Sequence, residues 1–240
     1  MGRDRFFFLH LQKTAGTTVL RRLRPAFADE RAVYPAAGDG PVPENVLMVD
    51  HLLGRWRARG DEIAVVTGHF PLCTTELLGG PWRTFTVLRD PVERTLSYLR
   101  HHRALTPADA EVPLEAIYED PFRFEGLIHN HMVKMLALRP DEMAAGAMTR
   151  VAFGPEHLAR AVDALEAIEV IGVQDHLEAF CDALSVRFGW ALGPPQHSNR
   201  TRAVPVAESF RRRIAADSAL DVELWEHANR LLAARGPSPS

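Results

Sequence analysis

The residues best suited to chemistry in this sequence lie in the stretch FFFLHLQKTAGTTVL, which runs from Phe6 to Leu20. The apolar run from Phe6 to His10 predicts a buried strand, and Thr17 to Leu23 predicts a short helix. A turn that joins a strand to a helix directs unpaired backbone N–H groups at one point, where an anion can bind. Gly16 lets the backbone approach such a ligand closely, and Lys13 supplies positive charge. The stretch therefore predicts a loop that binds a phosphate-like anion.

The order of charge and glycine separates this loop from the common nucleoside-triphosphate loop. That loop reads G-x-x-x-x-G-K-[ST], with lysine after the last glycine, whereas Lys13 comes before Gly16. Only Lys13 and Lys134 are lysines among the 28 basic residues, so lysine at this position indicates a need for a compact point charge. Three threonine hydroxyls are candidate further donors: Thr14, Thr17 and Thr18. The alternative is an ordinary turn that leads into a threonine-rich helix.

The elements that must position this loop form a repeating pattern of strands and helices. Four buried strands are predicted: Phe6 to His10, Ile63 to Thr67, Phe85 to Leu88 and Val170 to Val173. Because helical patterns separate them, they predict an α/β fold with a central parallel sheet flanked by helices. Ligands bind outside the carboxyl ends of such strands. The Lys13 loop, His69 and Arg89 each follow a predicted strand, so we expect them to converge.

His69, Arg89 and Ser97 have the chemistry to act at such a point. An imidazole titrates near neutral pH, so His69 can serve as a general base; the alternative is a histidine satisfied at a strand end. Arg89 can reach an anion that Ser97 also touches, since Ser97 lies about 10 Å along the following helix. The alternatives are a structural ion pair for Arg89 and a solvated serine.

The helix after the third strand has a clear start signal. Asp90 is a suitable N-cap, Pro91 suits the first helical position, and Glu93 completes a capping-box arrangement. Asp90 is also placed like the strand-end acid that holds Mg²⁺ in phosphoryl-transfer sites. Its neighbours favour the capping role.

Length and composition bound the remaining possibilities. The chain has 240 residues, which predicts one domain over residues 1–235 followed by a frayed tail at 236–240. A formal net charge of −3 predicts no nucleic acid or membrane partner, so an anion site must be local. Cys73 and Cys181 are too few for a disulfide scaffold and are expected to be core thiols. A soluble protein in the cytoplasm is the expectation, because no apolar run is long enough for a signal peptide or membrane span.

Two segments resemble the phosphosulfate-binding motifs of sulfotransferases that use 3′-phosphoadenosine 5′-phosphosulfate (PAPS). They are HLQKTAGTT and VLRDPVERTLSYLRHH, and the closer likeness is to the carbohydrate type, similar to heparan sulfate 2-O-sulfotransferase and its small bacterial relatives. TGHF, VIGVQDHLEAF and HSNRT resemble later segments of that family. The resemblance extends from near Phe6 to about Thr201 and implies a P-loop NTPase-like three-layer fold.

The resemblance also implies roles for individual residues. The 5′-phosphosulfate would lie against the loop residues, which are Lys13, Thr14, Ala15, Gly16, Thr17 and Thr18. The 3′-phosphate would bind Arg89 and Ser97, and His69 would take the proton of the acceptor. A late loop would close over the nucleotide with Asn199, Arg200 and Thr201. Eukaryotic relatives carry an N-terminal membrane anchor and an extra domain, which are not expected here, so a Golgi polysaccharide role does not transfer.

These observations predict an enzyme that moves a sulfuryl group from PAPS to a hydroxyl or amine of a small-molecule or carbohydrate acceptor. Negative charge then grows on the bridging oxygen of the leaving phosphate, where Lys13 and converging N–H groups favour the transition state. The product would be adenosine 3′,5′-bisphosphate, and no metal is expected. The alternatives are a small P-loop kinase that uses ATP and Mg²⁺, and a catalytically silent nucleotide-binding module. The sequence does not identify the acceptor.

Overall fold

Five parallel strands form the centre of the protein. The computed structural model describes residues 4–39, 43–195 and 205–235. The strands are β1 (Phe6–Leu9), β2 (Val33–Tyr34), β3 (Val65–Gly68), β4 (Arg83–Leu88) and β5 (Val170–Val173). They pair in the order β2-β3-β1-β4-β5, and every pair is parallel. The predicted α/β class with a central parallel sheet is confirmed.

Helices cover this sheet. In chain order they are α1 (Gly16–Leu23), α2 (Pro43–Leu47), α3 (Val49–Arg59), α4 (Thr74–Leu78), α5 (Pro91–Leu105), α6 (Leu114–Tyr118), α7 (Pro121–Arg123), α8 (His131–Ala137), α9 (Pro155–Ala167), α10 (Leu177–Phe188), α11 (Glu208–Asp217) and α12 (Ala219–Arg235). A π-helical turn, Phe124–Ile128, lies between α7 and α8.

The alternation of side chains along β1 shows how the layers form. Phe7 and Leu9 lie in a core cluster shared with α3, α8, α9 and α12, whereas Phe6 and Phe8 lie in a cluster shared with α1 and α10. Successive strand residues point to opposite faces, so a strand with four apolar residues must be covered on both sides. The result is the predicted three-layer arrangement.

The connections that follow β1 and β4 lead towards opposite edges of the sheet. After β1 the chain passes through α1 towards the edge strand β2, and after β4 it passes through α5 towards β5 at the other edge. Adjacent strands whose connections leave in opposite directions open a crevice at their carboxyl ends, where α/β proteins bind ligands. The predicted loop follows β1 and Arg89 follows β4, so both lie at this crevice.

Three local predictions need correction. The edge strand β2 was not predicted, because two residues are too few to show a periodic pattern. The apolar pattern over Asn45 to Arg57 predicts a single helix, but the extended backbone of Met48 divides this stretch into α2 and α3. Pro25 predicts that the first helix ends before it, because a proline disfavours helical geometry in the preceding residue. Instead a 3-10 turn, Arg24–Ala26, continues α1 and carries Pro25 in its first turn.

Both cysteines are buried free thiols, as expected for core residues. Burial raises the pKa of Cys73 to about 12 and that of Cys181 to about 11, so neither is a ready nucleophile. Among the described residues, no helix combines the length and apolarity needed to cross a lipid bilayer. The tail at 236–240 lies outside the described residues.

Candidate active site

The loop between β1 and α1 has an unusual backbone. Lys13 has a φ of 66° and Ala15 a φ of 72°, although neither is a glycine, and Thr14 between them does not share the positive φ. Left-handed geometry costs a residue with a side chain roughly 1–3 kcal/mol and persists where the surroundings enforce it, often at ligand sites. Alternation of the two hands turns successive backbone N–H groups towards one concavity that suits an anion.

The N–H groups of this loop have no acceptor among the described residues. Within the described residues, no backbone acceptor pairs with the amides of Lys13, Thr14, Ala15, Gly16 or Thr17, and the first bonded amide is that of Thr18. The Thr14 hydroxyl donates to the Leu11 carbonyl at 2.9 Å, so it fixes the loop from within. Thr17 is exposed and Thr18 half-buried. The loop therefore offers five consecutive amide donors at the N-terminus of a helix.

Two cations at the crevice, Lys13 and Arg89, have no carboxylate partner among the described residues. Arg89 donates from Nη1 to the Lys13 carbonyl at 3.0 Å, which ties the end of β4 to the loop. Its Nε is buried without a hydrogen-bond partner, and in the described part of the chain neither Lys13 nor Arg89 forms an ion pair. Burial, followed by the charge of Arg89, lowers the pKa of Lys13. An anion in this crevice would relieve the repulsion between the two cations.

His69 follows β3 and is held at both its backbone and its ring. Its N–H donates to the Val46 carbonyl at 2.7 Å, and its Nδ1 lies 2.7 Å from the His10 carbonyl. A carbonyl can only accept, so Nδ1 carries the proton and Nε2 has the free lone pair. Burial lowers the pKa of His69 to about 4, against the raising effect of that hydrogen bond. The ring is therefore neutral at pH 7, which is the form a general base needs.

His10 is a residue of this site that the sequence did not single out. Its ring lies 4.5 Å from that of His69 between centroids, and its carbonyl orients His69. Its edge also packs on Gly16, where an added Cβ would meet the ring at 1.9 and 2.0 Å. A histidine one residue beyond a buried strand carries no local signal of such contacts. Only the pairing of β1 with β3 brings them together.

Gly16→Ala is expected to destabilise the protein by about 1–3 kcal/mol, because the new methyl group overlaps the His10 ring. The measurement is urea unfolding followed by circular dichroism. Gly54→Ala is the matched control, since Gly54 lies inside α3 with no atom within 4 Å of its added Cβ. That variant should gain roughly 0.5–1 kcal/mol from helix propensity. Equal effects from the two substitutions would contradict the packing of His10 on Gly16.

The start of α5 has the predicted N-cap, but the predicted capping box is incomplete. The Asp90 carboxylate accepts from the Glu93 amide at 2.8 Å, so the N-cap is confirmed. The capping box is half formed, because the Glu93 carboxylate pairs with Arg211 at 2.8 Å instead. Ser97 is half-buried on α5, and its hydroxyl has no hydrogen bond within the described residues. Asn199, Arg200 and Thr201 lie outside the described residues.

A cluster of fully buried charged groups underlies the region near His69. Its members are Arg94, Lys134 and Asp221, all with no exposed surface. Asp221 accepts from the amides of Met132 (3.1 Å) and Val133 (2.8 Å) at the start of α8. Burial raises the pKa of Asp221 to about 6 and lowers that of Lys134 to about 7. Burial of these charged side chains carries a high desolvation cost. Their hydrogen bonds to the backbone offset part of that cost and hold the local backbone in place.

The cations of the cluster bind backbone carbonyls just before α8. Arg94 donates to the carbonyls of Leu127 (3.3 Å) and Ile128 (3.0 Å), and Lys134 donates to those of Glu125 and Gly126. These four carbonyls belong to the π-helical turn, a rare form that is frequently found at functional sites. One turn after His131, the Met135 carbonyl accepts from Leu72 at 2.8 Å. The cluster thus holds in place the π-helical turn and α8, and α8 in turn is hydrogen-bonded to the segment that follows His69.

Comparison with known proteins adds no relative to this description. The sequence matches no protein-family model, and a search of curated proteins finds no match.

Proposed function

We propose that this protein is a PAPS-dependent sulfotransferase whose reaction takes place at the crevice between β1 and β4. The observation that carries the proposal is that, within the described residues, five loop amides without an acceptor meet two cations without a carboxylate partner, Lys13 and Arg89, beside a neutral His69. This is the arrangement that transfer of a group between an anionic donor and a neutral nucleophile requires. The resemblance of the two sequence motifs to phosphosulfate-binding segments supports the same assignment.

PAPS supplies a sulfuryl group joined to a phosphate that leaves. In the proposed step, the acceptor oxygen or nitrogen forms a bond to sulfur while the bond from sulfur to the bridging oxygen breaks. Lys13 and the loop amides neutralise the negative charge that grows on that oxygen. His69 accepts the acceptor's proton at Nε2, the nitrogen left free by the bond from Nδ1 to the His10 carbonyl. Arg89, with Ser97, binds the 3′-phosphate of the nucleotide.

The low pKa of His69 fits this role in a ligand-dependent way. In the ligand-free protein, burial and the charge of Lys13 both lower it, the latter by repulsion of the imidazolium. Negative charge bound at the loop would offset Lys13 and raise the pKa of His69 towards neutral pH. His69 would then become a stronger base when the nucleotide is present, which couples proton transfer to nucleotide binding.

The proposal predicts a preference among nucleotides. Adenosine 3′,5′-bisphosphate should raise the melting temperature, whereas ATP with Mg²⁺ should have a smaller effect because no lysine follows the loop glycine. The measurement is a thermal shift at equal nucleotide concentrations. A larger shift with ATP and Mg²⁺ would favour a kinase and reject the proposal.

His69→Ala separates an enzyme from a silent binding module. It should abolish turnover, followed as transfer of labelled sulfuryl from PAPS to compounds of a metabolite extract. The thermal shift with adenosine 3′,5′-bisphosphate should persist, since within the described residues His69 makes no hydrogen bond to the loop residues 13–18. Wild-type protein that binds this nucleotide but transfers no sulfuryl to any extract would favour the silent module.

A further inference from the structure

His10 is the side chain that links the two halves of the candidate site. On one side, the Cδ2 and Nε2 edge of its ring packs on Gly16, within 2.0 Å of the position that a Cβ would take. On the other side, its ring lies 4.5 Å from the His69 ring, and its carbonyl accepts from His69 Nδ1. A parallel stack on Phe8, with centroids 5.3 Å apart and planes 1° from parallel, fixes the ring plane.

The ring of His10 is neutral and its nitrogens are unused. Burial, then the charges of His69 and Lys13, lower its pKa well below the ordinary value. A neutral imidazole has one N–H donor and one lone pair. No hydrogen bond to either ring nitrogen occurs within the described residues. His10 as a residue is half-buried, and neither of its ring nitrogens is fully enclosed, so a ligand can reach the ring edge.

The position of His10 Nε2 places it near the donors of the loop. Nε2 lies against the Cα of Gly16, and the amide of Gly16 belongs to the run of unpaired loop donors. An anion held by those amides would therefore lie close to Nε2. The ring is also next to His69, so it lies between the leaving-group side and the acceptor side of the proposed reaction.

We propose that His10 is a further catalytic residue, which donates its Nε2 proton in a hydrogen bond to a non-bridging oxygen of the sulfuryl group during transfer. The proposal rests on the proposed function and extends it. His10 keeps its proton throughout, while the acceptor's proton goes to His69 and the electron pair of the broken bond stays on the departing phosphate oxygen. A neutral donor suits this position because Lys13 and Arg89 already place two cations nearby, and a third would add repulsion.

The competing explanation is that the His10 ring only fills space. Substitutions that keep its shape or its donor can distinguish the two roles. A phenyl ring can stack on Phe8 and rest on Gly16 as the imidazole does, and the backbone carbonyl that orients His69 is unchanged by substitution. His10→Phe therefore removes the nitrogens while it preserves the shape. His10→Gln is the complementary variant, because its amide nitrogen can approximate the position of Nε2.

His10→Phe should lower kcat by about 10²-fold, the usual cost of losing one preorganised donor, while the affinity for adenosine 3′,5′-bisphosphate changes little. His10→Gln should recover part of kcat. Retention of kcat within threefold in His10→Phe, with the melting temperature unchanged, would overturn the proposal and leave His10 as a packing residue.

A second measurement tests the contact without turnover. In His69→Ala protein with ¹⁵N-labelled histidine, the Nε2 resonance of His10 should move when PAPS binds and move less when adenosine 3′,5′-bisphosphate binds, since only PAPS carries the sulfuryl group. Equal shifts with both nucleotides would overturn the role of His10 alone. Failure of both nucleotides to bind wild-type protein would instead overturn the proposed function and this inference with it.

Discussion

Lys13→Ala should reduce turnover by about 10²–10³-fold, because the ammonium group is placed to neutralise the oxygen that departs with the phosphate. The loss should appear in kcat, with little change in KM for the acceptor, since the interaction is strongest when charge has developed. Alanine and lysine meet the same backbone strain at a φ of 66°, so the loop geometry should survive the substitution. The measurement is steady-state sulfuryl transfer at saturating PAPS.

Two companion variants sharpen this test. Lys13→Arg keeps the charge in a different shape and should recover part of the lost turnover. Arg89→Ala should chiefly weaken binding of adenosine 3′,5′-bisphosphate, by about tenfold or more, as expected when a charged hydrogen bond is lost. Full turnover in Lys13→Ala, or unaltered nucleotide affinity in Arg89→Ala, would contradict the roles assigned here.

Asp221→Ala should lower the free energy of unfolding by about 3–5 kcal/mol, because two buried amides lose a charged acceptor and the nearby buried cations lose a compensating charge. The substitution leaves the amides of Met132 and Val133 without their acceptor and leaves Arg94 in the interior without a nearby carboxylate. Lys134 is less affected, because its pKa of about 7 lets it shed its proton. Urea unfolding at pH 8, where Asp221 is ionised, measures the loss.

Glu223→Ala is the matched control for this experiment. Glu223 lies two residues further along α12, is exposed, and forms no ion pair within the described residues. Its substitution should change the free energy of unfolding by less than about 0.5 kcal/mol. Asp221→Asn should be intermediate, since the amide oxygen still accepts one backbone bond but carries no charge. A change in Asp221→Ala no larger than in the control would show that the buried cluster contributes nothing to stability.

The parts of the site that sequence reasoning could reach are those encoded in local patterns. Apolar runs located four of the five strands, and the general rule for parallel sheets then placed Lys13, His69 and Arg89 at one edge. The cap at Asp90 follows from three neighbouring residues. The sulfotransferase assignment remains a prediction, because it rests on motif resemblance and no matching relative supports it.

The parts that sequence reasoning missed depend on contacts between distant segments. His10 acquires its importance from Gly16 and from His69, which lies 59 residues away. The left-handed backbone of Lys13 and Ala15 gives no sign in residues that ordinarily avoid it. Asp221 and its amide partners are separated by 88 and 89 residues. No window of local periodicity spans such separations, so tertiary packing alone reveals them.

The position of Asp221 in α12 has a consequence for how the protein is made. The anion loop precedes α12 by about 200 residues, and the amides at the start of α8 have no carboxylate to cap them until Asp221 has been synthesised. Leu224 and Ala228 of α12 also complete the core cluster that contains Met132 and Val133. During translation, the packing of α8 therefore stays incomplete until α12 docks on it.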